Sequence, residues 1–140
     1  MDQKVLEVQQ WLNKTYGDDS RFKKVNENGQ TGWPTINALI RATQIELGIQ
    51  STADNFGNTS KAKFKEKYPN GIKEQKPDDT RGDNIYLIIQ GALWCKGYAS
   101  DYNNRPFFKK EVAGAIIKLK NDIGIGGDST VTLDIMDVLL

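Results

Sequence analysis

Glycoside hydrolysis needs two carboxyl groups at a fixed separation, and Glu27, Asp54, Asp101, Asp128 and Asp134 are the carboxylates this sequence offers for that work. Each falls on a loop or an exposed helix turn. None is flanked by the apolar residues that lift a carboxyl pKa into the working range of a general acid. The chain has no histidine, which excludes Ser-His and Cys-His nucleophile pairs and any His-ligated zinc. Its one cysteine, Cys95, lies in the apolar run Ala92-Leu93-Trp94-Cys95 and reads as a buried thiol, with no disulfide and no CxxC site. Asp78, Asp79 and Asp83 gather oxygens that could meet Ca²⁺, but lack the alternating ligands and closing Glu of an EF-hand; solvation of a linker is the reading. The tripeptide Arg81-Gly82-Asp83 is read as a chance match to an integrin motif. No catalytic residue, metal or cofactor is expected.

What remains is non-covalent recognition, and it centres on Asn28-Gly29-Gln30-Thr31-Gly32-Trp33-Pro34-Thr35. Two glycines three apart make a tight turn, Pro34 suits the first turn of a helix, and Thr31 or Thr35 can offer a hydroxyl to the orphan N–H groups there. Trp33 is left on a polar loop, read as partly buried with one face free to stack on a sugar or acyl group. Trp11 falls off the apolar stripe of its helix, whereas Trp94 reads as core. Tyr98, Tyr102 and Phe107, near Asn103 and Asn104, make a second aromatic and amide loop that could touch a sugar.

Helical periodicity supplies the elements that carry these groups. Residues 4–17 repeat Val5, Val8, Leu12 and Tyr16, with Gln9 and Asn13 on the flank, and Gly17 stops them. Residues 34–48 repeat Ile36, Leu39, Ile40, Ile45 and Leu47 and end at Gly48. A short helix at 58–67 turns Ala62 and Phe64 inward and its lysines outward. The stretch 68–83 is broken by Pro69, Gly71, Pro77 and Gly82, with Ile72 alone to bury, and reads as a linker. Helices follow at 84–97 (Ile85, Leu87, Ile88, Ile89, Ala92, Leu93, closed by Gly97) and 109–123 (Val112, Ile116, Leu119, Ile123, closed by Gly124). Thr132 can cap a last one through Leu133, Met136, Leu139 and Leu140.

The composition fits a modest globular core: 140 residues, 38% apolar and 26% charged, with 19 basic and 18 acidic side chains and a formal charge of +1. That mixture argues against nucleic acid, which needs a concentrated basic face. No apolar run approaches the roughly 20 residues of a membrane span. The amino terminus has no signal-peptide core, so the expectation is a chain cytoplasmic at synthesis, released by another route, or cut from a longer protein.

The two halves repeat one plan: Gln9-xx-Leu12 answers Gln90-xx-Leu93, and Leu47-Gly48-Ile49 answers Ile123-Gly124-Ile125. The fold expected is all-α, with a three-helix module at 1–67, a Pro/Gly/charged linker at 68–83 and a second three-helix module at 84–140. Modules this small are marginal alone, so the two should pack together.

The run Gln9-xx-Leu12, Asn28-Gly29-xx-Gly32-xx-Thr35-xx-Ala38-Leu39 and Gln44-xxx-Gly48-Ile49 resembles the peptidoglycan-binding domain type 1 family, small three-helix modules of bacterial and phage cell-wall hydrolases. In this chain Asn28 stands where that family has Asp, and Thr43 where it has Phe. The second half resembles it through Gln90-xx-Leu93-xxx-Gly97-Tyr98, Ala115-Ile116 and Leu119-Lys120-xxx-Gly124-Ile125. There the loop signature gives way to Arg105-Pro106-x-Phe108-Lys109-xx-Val112, so the second module is degenerate.

The resemblance implies a non-catalytic region that binds peptidoglycan, through glycan strand or stem peptide, at the bacterial cell wall or outside the cell. It would hold an attached, endolysin-like catalytic domain of a longer protein on its substrate, two weak sites giving avidity on a polymer. The candidate ligand residues are Gln10, Trp11, Asn28, Gly29, Gly32, Trp33, Thr35, Tyr98, Tyr102 and Asn103. The rival readings are a helical module that docks a partner protein or catalytic domain, and a stand-alone muralytic enzyme.

Overall fold

A computed structural model describes residues 1–98 and 105–140. Six helices follow in order: α1 Gln3–Tyr16, α2 Trp33–Glu46, α3 Asn58–Lys67, α4 Asn84–Cys95, α5 Lys110–Asp122 and α6 Leu133–Leu139. The all-α expectation holds, with boundaries within two residues of the periodicity. Among the described residues the extended pairing is a single bridge, where the Ile72 N–H donates to the Val131 carbonyl at 2.9 Å and the Val131 N–H returns the bond at 2.8 Å.

The helix starts follow from local chemistry. Asp2 caps α1, its Oδ1 accepting from the N–H groups of Lys4 (2.9 Å) and Val5 (3.3 Å). Asp83 caps α4 by accepting from the Ile85 N–H at 3.0 Å. Such caps contribute about 1 kcal/mol each. Thr132 occupies the cap position of α6, but its hydroxyl makes no capping bond. The ends at Gly48, Gly97 and Gly124 share one device: a left-handed glycine (φ 79°, 85° and 83°) whose following N–H returns to a carbonyl five residues back.

One hydrophobic core runs through both halves. α4 lies against α2 and α1, and Gly91 sits where they cross. A Cβ placed there would be 3.0 Å from Val8 Cγ1 and 3.5 Å from Leu39 Cδ2. The joint is also polar: the Tyr16 hydroxyl donates to Glu46 Oε2 at 2.8 Å and the Asn84 amide donates to the same oxygen at 3.2 Å, so three helices meet on one carboxylate. Burial first, and then the Glu46 charge, push the Tyr16 phenol far above its ordinary pKa.

Several expectations need correction. In α3 the inward residues are Ser60 and Phe64, and Ala62 is exposed, because Gln44 reaches Ser60 and draws that position to the core. Ile45 is half-buried at the edge of the core, and Ile123 is 42% exposed at the end of α5, beyond buried Leu119 and Lys120. Trp94 and Cys95 are half-buried rather than core, since α4 ends there and the Trp94 indole N–H donates to Asp2 Oδ1 at 3.0 Å. The stretch 68–83 buries Gln75 as well as Ile72. The Gln75 N–H donates to the Phe108 carbonyl (2.8 Å), its Oε1 accepts from the Phe108 N–H (2.7 Å), and its amide donates to the Arg81 carbonyl (2.7 Å). This segment is docked on the second half.

Candidate functional site

The loop at 28–35 is built around a buried amide. Gln9 is 1% exposed on α1. Its Oε1 accepts from the N–H groups of Asn28 (2.9 Å) and Gly29 (2.8 Å), and its Nε2 lies within donor distance of Asn28 Oδ1 (3.1 Å), the Gln30 carbonyl (3.2 Å) and Thr35 Oγ1 (3.0 Å). Asn28 Oδ1 also accepts from the Gln30 N–H at 3.0 Å, and the Thr35 hydroxyl donates to the Gln30 carbonyl at 3.2 Å. One planar side chain thereby replaces the secondary structure this loop lacks. Gly29 has no alternative at its position: φ is 68°, and a Cβ would collide with the Met1 side chain and the Asp2 carbonyl. The Asp2 N–H donates to the Gly29 carbonyl at 2.9 Å, closing the knot from the chain start.

This geometry divides the candidate ligand residues. Gly29 and Thr35 are buried and hold the loop; the Thr35 hydroxyl is spent on Gln9 and Gln30, so it does not cap α2. Asn28, Gly32 and Trp33 are exposed. Trp33 is 72% exposed rather than partly buried, because it opens α2 directly after Gly32 and its neighbours Gln30, Thr31, Gly32 and Pro34 are all exposed too. Gln10 and half-buried Trp11 line a separate shallow depression on α1 with Glu7, Lys14 and Thr15, and the Trp11 ring meets Tyr16 edge-on at 5.7 Å. Tyr98 is tied to the end of α5, its hydroxyl donating to Asp122 Oδ2 at 2.8 Å. Tyr102 and Asn103, with Asp101 and Asn104, lie outside the described residues.

Two hollows flank the loop and share the wall Val25, Asn26 and Pro34. The smaller, of about 110 Å³, is lined by Asn28, Gln30 and Thr31 over Gln9 and Thr35. The larger, of about 360 Å³, runs between residues 23–26 and α2, past Asn37 and Ala38 to Arg41 and Asp54. Sequence reasoning missed Lys23, Lys24, Asn26, Asn37 and Arg41 as lining residues. Their signal was only a polar stretch facing a polar helix side. Arg41 is fixed in place, its Nε donating to Asp54 Oδ1 at 2.7 Å and Nη1 to Thr52 Oγ1 at 2.8 Å.

The second half repeats part of this plan. Gln90, also 1% exposed, donates through Nε2 to the carbonyls of Arg105 (3.0 Å) and Phe107 (2.9 Å). Gln44 ties the α2–α3 loop through the Ala53 N–H, the Asn55 carbonyl and Ser60 Oγ, whereas the matching Lys120 has an ion pair with Asp128 at 3.6 Å. The carboxylates Glu27, Asp54, Asp128 and Asp134 are all exposed. Glu27 accepts from the Asn13 amide, Asp54 from Arg41, and Asp128 first of all from the Thr130 N–H, which holds it below the usual carboxylate range. Of Asp78, Asp79 and Asp83, Asp79 pairs with Arg81 and Asp83 caps α4. Among the described residues no His, Cys, Asp or Glu cluster is placed to hold a metal ion, and no helix is long and apolar enough to cross a membrane.

The chain is 43% identical over its full length to the uncharacterized protein YbfG of Bacillus subtilis (strain 168). Over 70% of its length it is 49% identical to the uncharacterized protein FadG of the same organism. It spans only 18% and 16% of those two proteins. No solved structure matches it significantly. A family model described as the FadG/YbfG, PGDB-like domain matches residues 1–72, the half that keeps the Gln9 loop. The chain belongs to the FadG/YbfG family of peptidoglycan-binding-like (PGDB-like) domains.

Proposed function

We propose that this chain binds bacterial peptidoglycan without altering it covalently, through the face around the 28–35 loop. In a longer protein it would hold an attached cell-wall hydrolase domain on its substrate, at the cell wall or outside the cell. The two repeats, 1–67 and 84–140, act as unequal modules in this reading, with ligand contact concentrated in the first. The observation that carries it is the Gln9 knot. A fully buried amide orders an otherwise irregular loop and leaves Asn28, Gly32 and the large Trp33 ring exposed, on a stretch whose Pro34 lines two hollows. A tryptophan 72% exposed on an ordered polar surface is a stacking platform for a sugar face. Gln10, Trp11 and Tyr98 belong to this reading as outlying contacts.

Sedimentation with purified insoluble sacculi tests it. The wild-type chain should pellet with the sacculi, and Trp33→Ala should pellet less at unchanged melting temperature. Failure of the folded wild-type chain to sediment removes the proposal. Retained binding by Trp33→Ala removes only the role of that ring. A second reading, docking of a partner domain, is favoured by Ile117, Ile123, Ile125 and Val138, which are 38–60% exposed on α5, α6 and the turn between them. Loss of a partner-protein interaction, with sacculus binding intact, in an Ile125→Lys variant would mark that face as a separate docking site.

A further inference from the structure

Resting on the peptidoglycan reading, we propose that the larger hollow beside the loop is a stem-peptide subsite that recognises a free carboxylate, leaving the glycan to Trp33. The hollow's lining is the argument. It holds no aromatic ring, the group that most often recognises a neutral sugar face. It holds three cations, Lys23, Lys24 and Arg41, against one carboxylate, Asp54. Asp54 is consumed by Arg41 at 2.7 Å, and Thr52 fixes the same guanidinium. The net charge of the hollow is therefore that of Lys23 and Lys24. Neither ammonium has a carboxylate within ion-pair distance among the described residues.

The remaining wall suits a peptide. Asn26 and Asn37 present carboxamides that can pair with backbone amide groups, and buried Val25 and Ala38 add apolar surface to the wall. Lys24 is held close to the fold: a Cβ on Gly17 would stand 2.9 Å from its Cε, so its stem lies against that turn. A volume of about 360 Å³ accommodates a short peptide segment. The smaller hollow adjoins it across Val25, Asn26 and Pro34, the last next to Trp33 in the chain.

Titration calorimetry with soluble probes separates the possibilities. The probes are a disaccharide-peptide released by muramidase digestion, the same compound with its carboxyl groups amidated, peptide-free glycan chains, and polyglycerol phosphate. The wild-type chain should bind the free-acid disaccharide-peptide about tenfold more tightly than the amidated one, the size of one charge-assisted contact. Lys23→Gln/Lys24→Gln, with an unchanged melting temperature, should lose that preference and bind both equally. Equal wild-type affinity for free-acid and amidated probes overturns the subsite. So does tighter binding of peptide-free glycan, or of polyglycerol phosphate, which would assign the lysines to a phosphate polymer. These outcomes leave sacculus sedimentation intact, whereas loss of sedimentation itself would remove the broader reading.

Discussion

Replacing Gln9 with leucine isolates what holds the loop. Leucine keeps nearly the same volume at a position 1% exposed, so the hydrophobic term changes little. The polar term does not balance. The buried Gly29 N–H loses its acceptor at 2.8 Å, and buried Thr35 Oγ1 loses its donor at 3.0 Å while keeping its own bond to Gln30. The Asn28 N–H and the Gln30 carbonyl are on exposed residues and can turn to water. One fully orphaned buried donor and one half-satisfied hydroxyl cost about 3 kcal/mol together. For a chain of 140 residues that lowers the melting temperature by about 10 °C. Differential scanning calorimetry on Gln9→Leu, beside Gln10→Leu at the exposed neighbouring position, measures it. Gln10→Leu should stay within about 2 °C of wild type. A Gln9→Leu melting temperature equally close to wild type would refute the reasoning, since the loop would then owe its shape to something other than the amide.

Gly91→Leu should destabilise by about 3 kcal/mol or more, because its side chain must enter space already held by Val8 and Leu39. A single broadened calorimetric transition, rather than two, is expected if α1, α2 and α4 share one core. Acid should weaken the fold between about pH 4 and pH 2. The side-chain bond from Arg21 and the backbone N–H of Arg81 lead the causes that hold Asp19 and Asp79 down at about 2. A carboxylate with a depressed folded-state pKa contributes stability above its unfolded value of about 3.9, and that contribution is lost as pH falls through the folded one. Thermal melts from pH 6 to pH 2 should decline less steeply at the acid end for Asp19→Asn. Burial, and then the Asp2 charge, push the Cys95 thiol up to about 11. At pH 8 it should react with a disulfide reagent far more slowly in the native chain than in guanidinium; comparable rates would show the site to be open.

The elements legible in the sequence were those written as periodicity or punctuation. The stripe Val5, Val8, Leu12 and Tyr16, and the glycines closing α2, α4 and α5, needed no tertiary information. The repeat of Gln9 as Gln90 was visible as spacing, and both are buried amides that hold loops. Their burial was not visible, because a glutamine beside an apolar stripe reads as the edge of the solvent face. Thr35 reads as a cap or ligand group from its place in a loop that opens a helix, whereas its partner Gln9 is 26 residues away. Trp33 was misjudged because size alone argues for burial, whereas exposure depends on what the adjoining loop stacks over it. Gln75, Asn26 and Arg41 carry no local signal. They matter only because α2 and the docked 68–83 segment bring distant partners beside them.

A shared interior has an evolutionary consequence. When two parts of a chain each keep a private core, each must conserve every contact that holds it together. Here Val8 and Leu39 from the first half pack at the crossing with α4 from the second, and Glu46 binds side chains from both. Stability is pooled, so a change confined to the surface of one half is supported by the interior that both supply. Either half is then free to drift toward new surface chemistry.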